Sequence, residues 1–178
     1  RFIAAIEIKK LVELSEKKYK GKVCELGTGR RLNIPIANYL MGIDETVTVD
    51  LNNYLKEELV KEDISFILKN SNKVKSIFGE HLNQERWLLL LSFLKNTPLW
   101  SLIDLMKFCN IIYLPNQDAA TIKYPKDYFD YSTSFTVLEH IPSNKIIRIF
   151  DKMVDVVSDQ CFIDNGKLVC HIPYRCNK

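Results

Sequence analysis

The sequence predicts an α/β fold in which a doubly wound, mostly parallel sheet carries helices on both faces. Three observations predict it. An apolar run, residues 23–26, leads into a turn that contains two glycines. A β-branched run, residues 46–49, ends in an acid, and two further strand-like runs follow at 111–114 and 131–135, with helical patterns between the runs. Strands that alternate with helical segments are typical of parallel sheets.

The glycine turn follows the first predicted strand and contains Gly27 and Gly29. Glycines at such a turn let the backbone approach a ligand closely, with helix amides directed at it. A dinucleotide fingerprint would have a third glycine at position 32, where this chain has Leu32. Glu25, two residues before the first glycine, favours a cationic ligand over a pyrophosphate. An ordinary strand-to-helix turn is the alternative interpretation.

The second strand-like run ends in Asp50, 21 residues after Gly29. In nucleotide-binding α/β sheets an acid at this place accepts hydrogen bonds from both ribose hydroxyls. Asp50 is therefore a candidate ribose ligand, with Leu51 beside it. The alternative, which the sequence supports equally, is that Asp50 caps a helix starting at residues 51–53.

Two more segments follow the third and fourth strand-like runs. Asp118 and Ala119 come after the third, where a surface turn is the alternative because turn-forming residues surround them. Residues 128–135 combine an aromatic-Asp pair with a strand of small and aromatic residues, and the string LEHIP follows at 138–142.

In order and spacing, these four segments resemble the class I S-adenosylmethionine-dependent methyltransferases. The LEHIP string resembles those members of the family that methylate small molecules, lipids and quinones. Arg31 stands where the family pattern E/D-x-G-x-G-x-G has its third glycine. Arg30 and Arg31 lie where the carboxylate of the cofactor could be met, exposed arginines being the alternative. The resemblance implies a Rossmann-like sheet of the class I methyltransferase type and S-adenosylmethionine as the cofactor.

The resemblance also implies a set of site residues. In the family, the acid after the third strand holds the adenine, and the end of the fourth strand borders the methionine part. The implied cofactor-binding residues are Glu25, Gly27, Thr28, Gly29, Asp50, Leu51, Asp118, Ala119, Ser134 and Phe135.

Glu139 and His140 would face the acceptor, as the candidate catalytic pair. His140 is the candidate general base because histidine most often fills that role; a structural hydrogen bond or a helix cap is its alternative role. Some quinone-modifying relatives hold a divalent metal with a carboxylate where this chain has Thr136. We therefore expect no metal.

Residues 51–110 are a predicted helical insertion, longer than one crossover helix requires. The segments 64–69, 85–94 and 99–109 have helical patterns. One interpretation is a lid or acceptor-binding subdomain, with Trp87, Phe93 and Trp100 as walls of the pocket. The alternative is an insertion that packs its aromatic residues for stability or forms a homodimer contact.

The remaining organisation is that of a single domain over 1–178. A leading helix occupies 1–20, and the cofactor-binding core occupies 21–50 and 111–178. A helix at 143–157 covers the sheet, and residues 168–172 are the predicted fifth strand. The family normally adds two more strands that pair antiparallel at one edge. We expect these to be missing, so that the chain is a fragment of a longer protein.

Composition and charge limit the kinds of partner and location that we expect. A net charge of +3 predicts no nucleic-acid partner. Five cysteines without a C-x-x-C pair indicate reduced thiols and hence a cytoplasmic location. No apolar stretch reaches the roughly 18 residues of a membrane span. We expect a small-molecule, sugar (glycan) or lipid-like acceptor; the alternatives are an RNA or protein methyltransferase, or a non-catalytic nucleotide-binding scaffold.

Overall fold

One six-stranded sheet organises the chain. The structure, a computed structural model, describes residues 2–14, 18–158, 162–164 and 167–170. The strand order is β3-β2-β1-β4-β5-β6. Strands β1 to β5 are parallel, and β6 is antiparallel to β5. The strands are β1 (Lys22–Leu26), β2 (Glu45–Val49), β3 (Ile111–Leu114), β4 (Tyr131–Ser134), β5 (Phe162–Asp164) and β6 (Lys167–Cys170).

Helices cover both faces of this sheet. Within the described residues they are α1 (Phe2–Leu14), α2 (Asn33–Met41), α3 (Glu57–Lys69), α4 (Ser71–Phe78), α5 (Gln84–Asn96), α6 (Leu102–Phe108) and α7 (Ser143–Val156). The predicted Rossmann-like, doubly wound α/β sheet is confirmed, and the helical insertion after the second strand is present as α3 to α6. No helix within these ranges is long and apolar enough to cross a membrane.

The central strands are buried on both faces, which explains their apolar and β-branched sequences. On one face, Val23 and Tyr131 pack with α1, α2 and the insertion helices in a single core. On the other face, Cys24 and Val47 pack with Met153 of α7. Gly42 ends α2 in a left-handed conformation, which glycine adopts without strain.

The insertion packs its apolar residues into the first of these cores. Trp87 is 1% exposed there. The ring of Phe93 stacks on the ring of Phe108 at 4.3 Å, and Trp100 lies beside Lys61. The packing of Trp87, Phe93 and Trp100 in or against this core favours the interpretation in which the insertion places its aromatic residues for stability.

The strand predicted at residues 168–172 is present as β6, but it is the sixth strand and not the fifth. The strand that lies parallel to β4 is β5. Only two residues separate β5 from β6, and so short a connection permits antiparallel pairing alone. Residues 171 and 172 lie outside the described part of the chain.

Candidate functional site

A cleft of about 420 Å³ opens at the carboxyl ends of β1, β2 and β4. The strand order reverses between β1 and β4 at this edge, which is where doubly wound sheets bind ligands. Its volume lies within the range of roughly 300–1,000 Å³ that is usual for small-molecule sites. Four connections line it: the loop after β1, the segment after β2, the loop after β3, and the loop that leads from β4 into α7.

The two glycines of the first loop have different surroundings. Both have positive φ, +76° at Gly27 and +72° at Gly29. A Cβ on Gly27 would come within 2.4 Å of Val137 Cγ2, so this glycine permits the loops after β1 and β4 to touch. A Cβ on Gly29 would meet nothing within 4 Å. Gly29 also lines the cleft, so a ligand there can approach its backbone.

Asp50 follows β2 and lines the cleft, although it is only 5% exposed. Its Oδ2 accepts a hydrogen bond from the Gly29 amide at 3.1 Å. Burial raises the pKa of this carboxyl above its usual value, while the Gly29 amide and the Tyr113 hydroxyl act in the opposite direction. No helix begins at 51–53, so the capping interpretation of Asp50 is wrong.

Asp118 and Ala119 line the same cleft beyond Asp50. Asp118 Oδ1 accepts a hydrogen bond from the Ala120 amide at 2.9 Å and so caps a 3₁₀ turn at Ala119–Thr121. The acid thus has a local structural contact as well as a position in the cleft.

The end of β4 contributes differently from what the sequence indicated. Phe135 lines the cleft, whereas Ser134 is fully buried and is not part of the lining. Ser134 Oγ has no hydrogen-bond partner among the described residues. The next residue, Thr136, lies in the cleft wall with a φ of +59°, which is an uncommon conformation for a β-branched residue.

Of the candidate catalytic pair, Glu139 and His140, only one residue lines the cleft. Glu139 and His140 belong to a 3₁₀ turn at Leu138–His140, and both are exposed. His140 lines the cleft, but Glu139 does not. The turn therefore brings the imidazole and not the carboxylate to the site.

Glu25 and Thr28 also lie outside the lining. Glu25 is 2% exposed and lies in β1, in register with Thr48 of β2 and Thr133 of β4. The three form a buried polar row on the sheet. Thr28 is equally buried, and its hydroxyl donates a hydrogen bond to the Arg31 carbonyl at 3.4 Å.

The Arg31 side chain is hydrogen-bonded to α3 and does not line the cleft. Its Nη1 donates to Asp63 Oδ1 at 2.6 Å and to the Leu59 carbonyl at 3.0 Å, and its Nη2 donates to Glu62 Oε2 at 2.9 Å. The residue at the missing third glycine thus ties the glycine loop to the insertion.

Some lining residues were not among the site residues predicted from the sequence. They are Leu26, Val49, Tyr54, Gln117, Val137, Ile141, Pro142, Lys145 and Ile149. Lys145 and Ile149 could have been found, because residues four apart share one face of a helix that starts beside the LEHIP string. Nothing in the sequence distinguishes Tyr54 from other exposed insertion residues.

No protein-family model matches the chain, and no curated protein matches it. Among solved structures, the chain is similar to a protein from Methanococcus maripaludis that is provisionally described as an S-adenosyl-L-methionine-dependent methyltransferase, with 13% identity and a TM-score of 0.49 over 90% of this chain and 54% of that one. It is also similar to the YcgJ protein from Bacillus subtilis, with 13% identity and a TM-score of 0.47 over 88% of this chain and 49% of that one. A provisionally described methyltransferase from Bacillus halodurans has 16% identity and a TM-score of 0.44 over 88% of this chain and 49% of that one.

The likeness is weak. The chain spans about half the length of these solved structures. The interpretation of the cleft therefore depends on its own residues and geometry.

Proposed function

We propose that this chain is a methyltransferase domain that binds S-adenosylmethionine and methylates a small-molecule, sugar or lipid-like acceptor. The observation that supports it most strongly is the buried Asp50 carboxylate, which accepts a hydrogen bond from the Gly29 amide and lines the cleft together with that glycine. An acceptor-only group at the end of β2 suits a vicinal diol such as that of ribose.

The rest of the cleft fits the same ligand. Asp118 offers an acceptor for an exocyclic amine at the end of β3. Leu51 and Phe135 supply apolar surface for a flat ring. Asp50 and Asp118 together favour a ligand that carries positive charge, such as a sulfonium with an ammonium group.

A dinucleotide fits less well. A pyrophosphate is usually held by free amides in the first turn of the helix after β1. Pro35 is the third residue of α2 and has no N–H to offer. Arg31, the nearby cation, is already paired with Glu62 and Asp63. The first turn of α2 is therefore poorly equipped for two phosphates.

S-adenosylmethionine, when bound, supplies an electrophilic methyl whose carbon–sulfur bond breaks as the bond to the acceptor forms. Asp50 and Asp118 would fix the nucleoside end, while Phe135 would exclude water beside the reacting centre. Orientation of this kind contributes about 7–11 kcal/mol to lowering a barrier. His140 can take up a proton at a ring nitrogen if the acceptor must lose one.

The wall formed by the LEHIP loop and α7 supports the acceptor class. Its lining residues are largely apolar, with Ile141, Pro142 and Ile149, and its polar members include His140 and Lys145. Such a surface suits an acceptor with an apolar body better than a nucleic-acid backbone, which needs several cations.

Analogues of S-adenosylhomocysteine, the demethylated product, test this assignment. We expect the 2′-deoxy analogue to bind more weakly, because it lacks one hydroxyl for Asp50. S-inosylhomocysteine should also bind more weakly, because its ring has a carbonyl in place of the amine. The loss should be about tenfold for each, as expected for one hydrogen bond to a charged group. Equal binding of all three ligands would contradict the assignment of both acids.

A further inference from the structure

The segment that crosses the cleft edge after β2 has no regular structure of its own. Residues 51–56, which we call the strap, connect β2 to α3. Two of its side chains line the cleft, Leu51 at 64% exposure and Tyr54 at 45%. A segment that lacks its own backbone ladder depends on outside partners for a defined position.

Tyr113 of β3 supplies the central partner. Its hydroxyl oxygen accepts hydrogen bonds from the Tyr54 amide at 3.1 Å and from the Leu55 amide at 3.4 Å. The Tyr54 amide is shared with the Asn52 carbonyl at 3.0 Å. Tyr113 is not itself part of the cleft lining, so any effect on a ligand must pass through the residues that it holds.

The same hydroxyl is also close to the candidate ribose ligand. Burial raises the pKa of Tyr113, so the hydroxyl is neutral and keeps one proton to donate. Two neighbours can accept a hydrogen bond from this hydroxyl. They are the Asp50 carboxylate and the Asn52 carbonyl, the latter at 3.4 Å. The groups that face the Asp50 carboxyl are thus the Gly29 amide from the loop after β1 and the Tyr113 hydroxyl from β3.

The far end of the strap is tied to the glycine loop. The Lys56 amide donates to the Arg30 carbonyl at 3.2 Å, and Arg31 holds the Leu59 carbonyl in the first turn of α3. At the near end, the Asp50 amide donates to the Leu114 carbonyl at 3.0 Å. Both ends are therefore fixed to the backbone of the sheet and loop, and Tyr113 fixes the middle.

We propose that Tyr113 is a positioning residue of the cleft: its hydroxyl holds the strap so that Asp50, Leu51 and Tyr54 face the ligand in one arrangement. The identity of the ligand rests on the proposed function, whereas the hold of Tyr113 on the strap does not. This difference allows the two ideas to be tested separately.

The test compares the parent chain with Tyr113→Phe by hydrogen exchange and by titration with S-adenosylhomocysteine. The phenylalanine keeps the ring but removes the hydroxyl acceptor of the Leu55 amide and one of the two acceptors of the Tyr54 amide. We expect exchange at residues 54 and 55 to become about tenfold faster and the affinity to fall about tenfold, as for hydrogen bonds of ordinary strength. The midpoint of thermal unfolding should change little.

Tyr128→Phe is the matched control. The Tyr128 hydroxyl donates to Glu45 Oε1 at 2.9 Å, a tyrosine–carboxylate pair that lies outside the cleft lining. This variant should keep the parent exchange rates in the strap and the parent affinity.

Unchanged exchange at residues 54 and 55 in Tyr113→Phe would overturn the inference, even if affinity fell. Faster exchange with parent affinity would overturn the link to the ligand. If the parent chain binds no S-adenosylhomocysteine, the proposed function fails, and exchange alone decides whether Tyr113 holds the strap. Should the variant not fold, exchange in the parent decides: amides 54 and 55 at the rates of an unfolded chain would contradict the hold.

Discussion

Replacement of Asp50 by asparagine should weaken ligand binding and, at neutral pH, leave the ligand-free chain at least as stable as before. The asparagine oxygen can still accept the Gly29 amide that Asp50 Oδ2 accepts at 3.1 Å. What changes is the charge. Burial is the largest influence on the Asp50 pKa, and it outweighs the two hydrogen bonds that favour the carboxylate.

The pH dependence of stability follows from this raised pKa. The folded chain binds the Asp50 proton more tightly than the unfolded chain does. Stability from this group is therefore greatest below the usual value of 3.8 and falls as the pH rises through the raised pKa of the folded state. Above that raised pKa the cost is fully present. Asp50→Asn removes it, so the unfolding free energy there should be equal to or above that of the parent, and the difference should shrink as the pH falls toward 3.8.

The effect on binding has the opposite sign. A carboxylate offers two charged acceptors to a diol, whereas the amide offers one neutral acceptor and a donor. The change weakens one hydrogen bond and removes another, a loss of about 2–3 kcal/mol, or roughly 30- to 150-fold in affinity.

Titration calorimetry with S-adenosylhomocysteine and urea unfolding measure the two effects. Asp130→Asn is the control, because Asp130 accepts the Lys22 amide at 2.6 Å away from the cleft and should not alter affinity. An Asp50→Asn variant with parent affinity would refute the ribose assignment. A fall of more than about 1 kcal/mol in the unfolding free energy would show that Asp50 is mainly structural.

Three further predictions concern the loops of the cleft. Gly29→Ala and Gly42→Ala place alanine at positive φ without a close protein contact, so each should cost about 1 kcal/mol in unfolding free energy. Only Gly29→Ala should weaken S-adenosylhomocysteine binding, by about tenfold or more, and equal affinities of the two variants in calorimetry would contradict a close approach of the ligand to Gly29. Gly27→Ala should cost about 2–3 kcal/mol because its Cβ would overlap Val137, and Val137→Ala in the same chain should restore part of this in urea unfolding. An additive double variant would argue against that contact. Thr136→Gly should raise the unfolding free energy by up to about 1 kcal/mol, since φ is +59° at this β-branched residue, and a lower value would show that the side chain matters more than the backbone strain.

The sequence predicted the structure best where local backbone conformation or burial allows few residue types. Short apolar, β-branched and aromatic runs indicated the first four strands, because buried strands of a parallel sheet require such residues. The cleft residues Gly29, Asp50 and Asp118 follow strand ends, and parallel strands bring their carboxyl ends to one edge of the sheet.

The sequence was least informative where tertiary packing decides. Trp87 is buried in a core that helices distant in sequence share. The partners of Arg31 are two acids in α3 that lie 31 and 32 residues later. Ser134 and Phe135 are neighbours, but Ser134 is the last residue of β4 and is buried in the sheet, whereas Phe135 lies just beyond the strand and lines the cleft. Tyr54 lies in a segment without periodicity, so no pattern marks it.

The most direct test of the proposed function is calorimetric titration of the chain with S-adenosylmethionine, with NAD as the comparison ligand. Asp50 and Asp118 predict saturable binding of S-adenosylmethionine. The first turn of α2 lacks an amide at Pro35 for a pyrophosphate, so we expect no binding of NAD. Binding of NAD with equal or greater affinity, or of neither ligand, would contradict the proposal.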